Sequence, residues 1–522
     1  MESCGEHRIG WVVGESSPRE SLVIFEKGFR ARLGLYVSSR AGDMCVLGML
    51  ERLSAGSHLL PQGLTEAEVV ESVSTYDHSL LERERYLRGS VRWIVAIGEG
   101  HSVPQEPVMP GSPVYEAPAS LLKEVFSPES EGYLEVGRLI GAGVPVGINV
   151  DKLARHLAIL AVTGGGKSNT ACVIARGIVE NYGGTVAIFD MHGEYGDLGL
   201  PGDKAVVHST PFINPYSISL RELVRLARIP ENAHNQLRLL RWVWNEARRR
   251  VAKGEIRPGE VIDFAKRVIE EYAGLDKKLV NSWAQRNEFE TRPPAKRGDE
   301  AEGLLNRLDD VIESYGDVLR KDAPIDLDSI IQPGRLTVFD LSGLDEEGAD
   351  AVVSHYLRRI LTERRDYVRG GGGYSSPIIV FIEEAHVLVP KDESTLTKYW
   401  ASRIAKEGRK FGVGMALISQ RPRKLDPDAL SQTNNKIILR MVEPRDIEYV
   451  RAASEEIGED LASLLPSLDT GEALLIGSFT KLPAVVKIHK CPYKKSGGDI
   501  PVSREWIEAS SRERGIVEEA FG

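Results

Sequence analysis

Cysteine is scarce: four in 522 residues (Cys4, Cys45, Cys172, Cys491), far apart and never spaced as C-x-x-C. That spacing predicts neither a zinc site nor a disulfide framework and leaves isolated thiols as the expectation. No apolar run approaches the roughly 20 residues that cross a bilayer. The first residues, Met1–Arg8, are polar and charged, unlike a secretory leader. A cytoplasmic protein that makes no membrane contact is the resulting expectation. An excess of positive charge is also missing, with 66 Lys and Arg against 76 Asp and Glu and a net charge of −10. A basic coat for wrapping nucleic acid is thereby excluded, whereas a narrow basic channel stays open because steering depends on the local field. The chain has no internal repeat and no N-K-x-D element of the kind that selects guanine nucleotides.

What is present is ordinary globular composition, 42% hydrophobic and 27% charged. The length predicts two or more domains. Residues 1–125 carry short apolar or alternating runs (Ile9–Val13, Ser21–Phe25, Gly34–Ser38, Met44–Leu50, Val91–Ile97) between Gly, Ser and Pro turns. They predict a small β-barrel, followed by a Pro- and Ser-rich linker at Pro104–Ser120. Residues 126–216 and 321–493 alternate near-continuous apolar strands with helices: Leu157–Val162, Thr185–Asp190, Leu336–Leu341, Ile378–Glu383, Gly414–Ser419, Lys436–Met441, Ala473–Ile476 and Ala484–Ile488. That pattern is an α/β fold with a parallel sheet covered on both faces, the last strands being open to an antiparallel arrangement. Between these halves, residues 217–320 show helical periodicity and predict an inserted helical bundle of four or five helices. Residues 494–522 read as a tail with one helix, Val502–Ser510, behind a Lys494–Gly498 linker.

The segment AVTGGGKS sits between strand Leu157–Val162 and the helical run Asn169–Asn181. Strand, glycine loop and helix are the context of a P-loop, in which backbone N–H groups and the helix N-terminus face a polyphosphate. The reading is ATP bound by Thr163, Gly164, Gly165, Gly166, Lys167, Ser168 and Asn169, with Lys167 on the β- and γ-phosphates and Ser168 on Mg²⁺. Ala161 stands where the pattern has its first Gly. In PIIVFIEEAH a buried strand delivers Glu383 and Glu384. Glu383 is assigned to the metal and Glu384 to polarising the attacking water, although the pattern more often has Asp at the first place. In GMALISQRP, Gln420 at a strand tip is the candidate γ-phosphate sensor, and Asp190, His192 and Glu194 in FDMHGEYGD are either nucleotide sensors or supporting hydrogen bonders.

One P-loop and one strand set lack the second wall that two-lobed motors carry. A neighbouring subunit in a ring of heterologous contacts supplies it most simply. RIAKEGRKFG offers Arg403, Arg409 and Lys410, with Arg409 the arginine-finger candidate acting in trans. Arg155, just before the P-loop strand, is a candidate for reaching a γ-phosphate in cis. In the insertion, Arg238, Arg241, Arg248, Arg249, Arg250 and Lys253 interleave with Trp242 and Trp244, either a solvated face or a channel lining that holds DNA phosphates without reading sequence.

Taken in order, TGGGKS, DMHGEY, FIEEAH, EGRKFG and ISQRP resemble the HerA family of the FtsK–HerA superfamily. The resemblance extends to the N-terminal barrel and implies a RecA-like core. It further implies a homohexamer with a central channel, ATP-driven movement on double-stranded DNA, helicase activity, and a NurA-family nuclease partner that docks on the barrel side during DNA end resection for recombinational repair. By position, Lys167 and Ser168 match the family's Walker A residues, Glu384 its catalytic glutamate and Arg409 its trans arginine, while Arg155 falls where the family has an arginine near the nucleotide. A ring ATPase that remodels or exports protein is the competing expectation.

Overall fold

The computed structural model describes residues 4–98, 101–127, 132–201, 204–295, 300–454 and 457–492. The expected tail helix and the linker before it lie outside the described residues. Seven N-terminal strands come first: β1 (Arg8–Ser16), β2 (Glu20–Phe25), β3 (Tyr36–Ala41), β4 (Met44–Ser57), β5 (Arg85–Ile97), β6 (His101–Ser102) and β7 (Pro113–Glu116). Six of them close on themselves in the order β2-β1-β7-β3-β4-β5, with β5 pairing back to β2 and β6 appended to β5. The alternation read from the sequence fills this barrel: Ile9, Val12, Val23, Phe25, Val37, Leu50, Val91 and Trp93 point inward. The indole N–H of Trp93 donates to Ser21 Oγ at 2.7 Å, which satisfies the polar end of a buried ring.

The linker expected at Pro104–Ser120 is corrected by the structure. Pro113–Glu116 is strand β7, which joins β1 to β3 and completes the barrel. Proline is tolerated there because it opens the strand. Helix Ala119–Phe126 follows and packs Leu122, Val125 and Phe126 into the main core. The β4–β5 hairpin extends beyond the barrel and carries helices Glu66–Thr75 and His78–Arg83 at its tip, the first begun by a Thr65–Glu68 capping box.

The second sheet has eleven strands: β8 (Tyr133–Leu139), β9 (Pro145–Asn149), β10 (Leu157–Leu160), β11 (Thr185–Asp190), β12 (Ala205–His208), β13 (Leu336–Asp340), β14 (Ile378–Ile382), β15 (Val413–Ser419), β16 (Asn435–Leu439), β17 (Glu472–Ile476) and β18 (Ala484–Ile488). Their spatial order is β12-β13-β11-β14-β15-β10-β16-β17-β18-β8-β9. The strands from β12 to β16 run parallel, and those from β16 to β9 pair antiparallel. β11, β15 and β16 are buried at every position, as helices on both faces require. The hairpin β8–β9 and the strand β12 were not expected from the sequence.

Helices Leu220–Leu226, His234–Ala252, Val261–Gly274, Val280–Arg286 and Glu300–Tyr315 form the inserted bundle around Trp244, Phe264, Leu304 and Leu308. Its attachment to helix Glu346–Val368 is polar and buried: Glu222 lies 2.8 Å from both His355 Nδ1 and Arg358 Nε. Most of the basic stripe read as a possible channel lining is engaged within the bundle. Trp242 and Trp244 are buried, Arg249 pairs with Glu246 and Glu290, Lys253 with Glu290 and Arg250 with Glu255. Arg248 donates to the Tyr216 carbonyl, and Arg238 and Arg241 stay exposed.

The expectation of isolated thiols is also corrected. Cys172, on helix Lys167–Tyr182, and Cys491, just after β18, form a disulfide across 319 residues of sequence. No sequence spacing signals it, because only the docking of the chain after β18 against that helix brings the two together. Among the described residues, no helix is long and apolar enough to cross a membrane.

Candidate functional site

β10 lies in the middle of the eleven-stranded sheet, between its parallel neighbours β15 and β16, and its C-terminal end opens into the glycine loop. Gly164 and Gly166 adopt φ of 74° and 106°, a conformation that residues with a side chain rarely adopt. A Cβ on Gly165 would meet the Ala161 methyl at 2.9 Å and the Val162 carbonyl oxygen at 3.0 Å. The small residue at position 161 therefore faces a turn that has no room for more. Helix Lys167–Tyr182 starts directly behind Gly166, with no acidic residue in its first turn to offset its dipole.

The neighbouring strand tips converge on this loop. Thr163 Oγ1 donates to Gln420 Oε1 at 2.6 Å, joining the glycine loop to the end of β15. β14 delivers Glu383, still in the sheet through its N–H to the Phe189 carbonyl, and then Glu384, which turns the chain at φ 44° and ψ 44°. Both carboxyls are buried, at 3% and 7% exposure. Their environments push them apart. Burial, with the nearby Asp190, Glu194 and Glu384 carboxylates, pushes Glu383 up to about 9. Glu384 is buried too, yet His386, Lys167 and His192 around it hold its carboxyl below the usual glutamate range. His386 Nδ1 lies 3.0 Å from Glu384 Oε2, and His192 Nε2 lies 3.6 Å from Oε1. A carboxylate kept ionised beside a lysine suits a group that polarises water.

Glu383 Oε2 is buried and finds no hydrogen-bond donor. The Tyr195 hydroxyl is 3.4 Å from its other oxygen and also meets Ser168. Among the described residues, no group of three His, Cys, Asp or Glu could hold a metal ion by itself. The buried, unpartnered Glu383 Oε2 and the Ser168 hydroxyl, linked through Tyr195, are the groups that would face a cation brought by phosphate oxygens.

Asp190, His192 and Glu194 lie at this edge as well. Asp190 accepts from the backbone N–H of His192 and of Tyr195, at 3.2 and 2.8 Å, and so shapes the loop after β11. The sequence reading assigned no role to Tyr195 and His386, although both sit inside quoted motifs. It also missed Gly471, whose N–H donates to the Gly165 carbonyl at 3.1 Å. No local signal marks that contact, which the turn before β17 makes past the intervening β16.

Two assignments are corrected. The Asn169 amide is taken by the chain after β18, donating to the His489 carbonyl and accepting from the Cys491 N–H, both at 2.8 Å. Its side chain is thereby committed to clamping that segment. Arg155 precedes β10, so it stands at the opposite end of the parallel sheet from the loop that β10 feeds. Reach across the sheet is blocked by a strand and its flanks, about 15–20 Å at 3.3 Å per residue. A cis contact between Arg155 and the phosphates of its own loop is ruled out. Arg409 and Lys410 precede β15 at this same far edge and are exposed. Arg403 is paired to Glu407 at 2.8 Å and lies over Trp400.

Residues 134–360 match the protein family described as Helicase HerA, central domain. The chain is 38% identical over 512 residues to the DNA double-strand break repair helicase HerA of Saccharolobus solfataricus, covering 97% of each protein. Against the protein of the same name from Pyrococcus furiosus it is 32% identical, over 93% of this chain and 92% of the relative. Among solved structures, VirB4 of Thermoanaerobacter pseudethanolicus aligns at a TM-score of 0.47 and 17% identity, over 70% of this chain and 98% of that one. With a complete P-loop edge and full-length identity of this degree, the chain belongs to the HerA family of helicases and is an ATP-hydrolysing enzyme of the helicase–translocase type.

Proposed function

We propose that this chain is one subunit of a homohexameric ring that hydrolyses Mg²⁺-ATP to move double-stranded DNA, acting with a NurA-family nuclease in DNA end resection for recombinational repair. The observation that carries the reading is the division of the sheet into two edges. Lys167, Ser168, Glu383, Glu384 and Gln420 gather at the C-terminal ends of the parallel strands, while Arg155 and Arg409 stand at the other end. One chain thus holds half of two sites, and a heterologous ring joins the halves.

In that site Lys167 neutralises the β- and γ-phosphates, and Glu384 accepts a proton from the attacking water. Gln420 donates through its free amide nitrogen toward the terminal phosphate. Arg409 of the adjacent subunit meets the charge that develops there, with Arg155 beside it. Magnesium, when bound, supplies charge neutralisation between the β- and γ-phosphates, held by Ser168 with Glu383 organising its shell. The repair role draws on the relatives' names, DNA double-strand break repair helicase. Two exposed arginines of the insertion, Arg238 and Arg241, remain available to DNA phosphates.

Complementation tests the reading. Arg409→Ala subunits keep an intact loop edge, and Lys167→Ala subunits keep an intact arginine edge. Rings co-expressed from both should regain ATP turnover that neither shows alone, whereas equal inactivity at every ratio refutes the shared site. Duplex DNA should stimulate wild-type turnover, and that stimulation should fall as salt rises. Stimulation by unfolded polypeptide in its place would support a protein-remodelling ring.

A further inference from the structure

His156 is the residue between Arg155 and β10, and its backbone is held at φ 66°. A side chain at such an angle is strained and persists only where the surroundings over-determine it. The imidazole is 2% exposed, and both ring nitrogens are engaged. The Met415 N–H of β15 donates to Nδ1 at 3.2 Å. Nε2 is then the protonated nitrogen, and it lies 3.2 Å from the Ala405 carbonyl oxygen.

That carbonyl belongs to the last turn of helix Leu396–Glu407, where backbone oxygens lose their intrahelical partners. The imidazole therefore caps the helix whose end runs into Gly408 and Arg409. Gly408 is packed against the same ring, since a Cβ there would come within 3.6 Å of His156 Cε1. The His156 carbonyl accepts from the backbone N–H and the side-chain amide of Asn435 at the start of β16, at 3.3 and 2.9 Å. One residue thus ties together the starts of β10 and β16, β15 and the arginine-bearing turn, all at the edge opposite the glycine loop.

We propose that His156 is a positioning residue that fixes Arg155 and Arg409 as one unit on the edge presented to the next subunit. It touches no phosphate; it acts through the two arginines. The proposal rests on the two-edge reading above. A purely structural histidine would disturb both edges of its own subunit. A positioning histidine disturbs only the site its subunit completes for a neighbour.

The experiment uses full-length protein. His156→Asn suits the positive φ and keeps a group at the Nδ1 position but cannot reach Ala405, whereas His156→Gln places an amide nitrogen where Nε2 stands. In homomeric rings His156→Asn should lower kcat by about a hundredfold, the scale of a misplaced catalytic group, with unchanged affinity for a fluorescent ATP analogue. His156→Gln should recover most of kcat. Rings co-expressed from His156→Asn and Lys167→Ala subunits should regain turnover, as rings from Arg409→Ala and Lys167→Ala do. Rescue with Arg409→Ala but none with His156→Asn overturns the positioning role and leaves the two-edge reading standing. Rescue with neither overturns the two-edge reading and takes the positioning role with it. Wild-type turnover in homomeric His156→Asn also overturns it. If His156→Asn does not assemble, the same mixing applied to His156→Gln decides, because any residual defect there must be rescued in trans.

Discussion

Thr163 Oγ1 and Gln420 Oε1 share a hydrogen bond of 2.6 Å, so the glycine loop and the tip of β15 are joined before any phosphate arrives. The bond uses the amide oxygen of Gln420 and turns its nitrogen into the free donor. Gln420→Glu should keep the contact to Thr163 yet lose that donor. Steady-state kinetics should show kcat lower by about tenfold or more with KM little changed, the pattern of an interaction made in the transition state. An unchanged kcat removes Gln420 from the reacting phosphate.

Glu384 sits at φ 44° with 7% exposure, so its backbone conformation is one that glycine adopts without strain. Glu384→Gly should abolish hydrolysis while leaving the melting temperature equal or higher, because it relieves about 1 kcal/mol of backbone strain. Glu384→Gln should abolish hydrolysis and keep ATP binding. A Glu384→Gly protein that hydrolyses ATP would show that the water is polarised elsewhere.

Burial lowers His156 from an ordinary value of 6.5 to about 4, against weaker upward pulls from the Ala405 and Ile404 carbonyls. The folded form thus stays neutral where the unfolded chain takes up a proton, and stability is lost as pH falls from 6.5 to about 4. The slope is about 1.4 kcal/mol per pH unit and the total about 3 kcal/mol. Thermal melting across that window should show the loss in wild type and a shallower one in His156→Gln. Parallel curves would contradict the buried neutral imidazole. Below 4.5 a second loss follows: Glu222 is buried, yet His355 and Arg358 hold it down at about 2, and its contribution disappears as pH falls through that range.

The Cys172–Cys491 disulfide ties the helix behind the glycine loop to the chain after β18, beside the two Asn169 hydrogen bonds. It closes a span of 319 residues. In the chain-entropy account such a link contributes about 6 kcal/mol at most. Cys491→Ala, or a reductant, should lower the melting temperature by several degrees and leave ATP affinity nearly intact, since Asn169 still holds the segment. Equal melting curves in oxidised and reduced protein would show that the link adds nothing.

Much of the loop edge was legible in the sequence because its chemistry is local. A buried strand, three glycines, Lys167 and Ser168 specify a phosphate loop by succession alone, and a strand ending in Glu383–Glu384 specifies where two carboxylates must stand. Strand β7 was misread as linker because proline and serine are weak strand formers, and its pairing with β1 and β3 is decided by closure of the barrel. The basic stripe on helix His234–Ala252 looked free because its partners Glu255, Glu288 and Glu290 come from other elements.

The sequence by itself determined the kind of chemistry, since contiguous residues set the loop, the carboxylate pair and the alternation of strands and helices. Tertiary structure decided which residues share an edge. Arg155 is nearer to Lys167 in sequence than Glu384 is, yet parallel strands separate the first pair and unite the second, because every strand carries its start to one end of the sheet and its finish to the other.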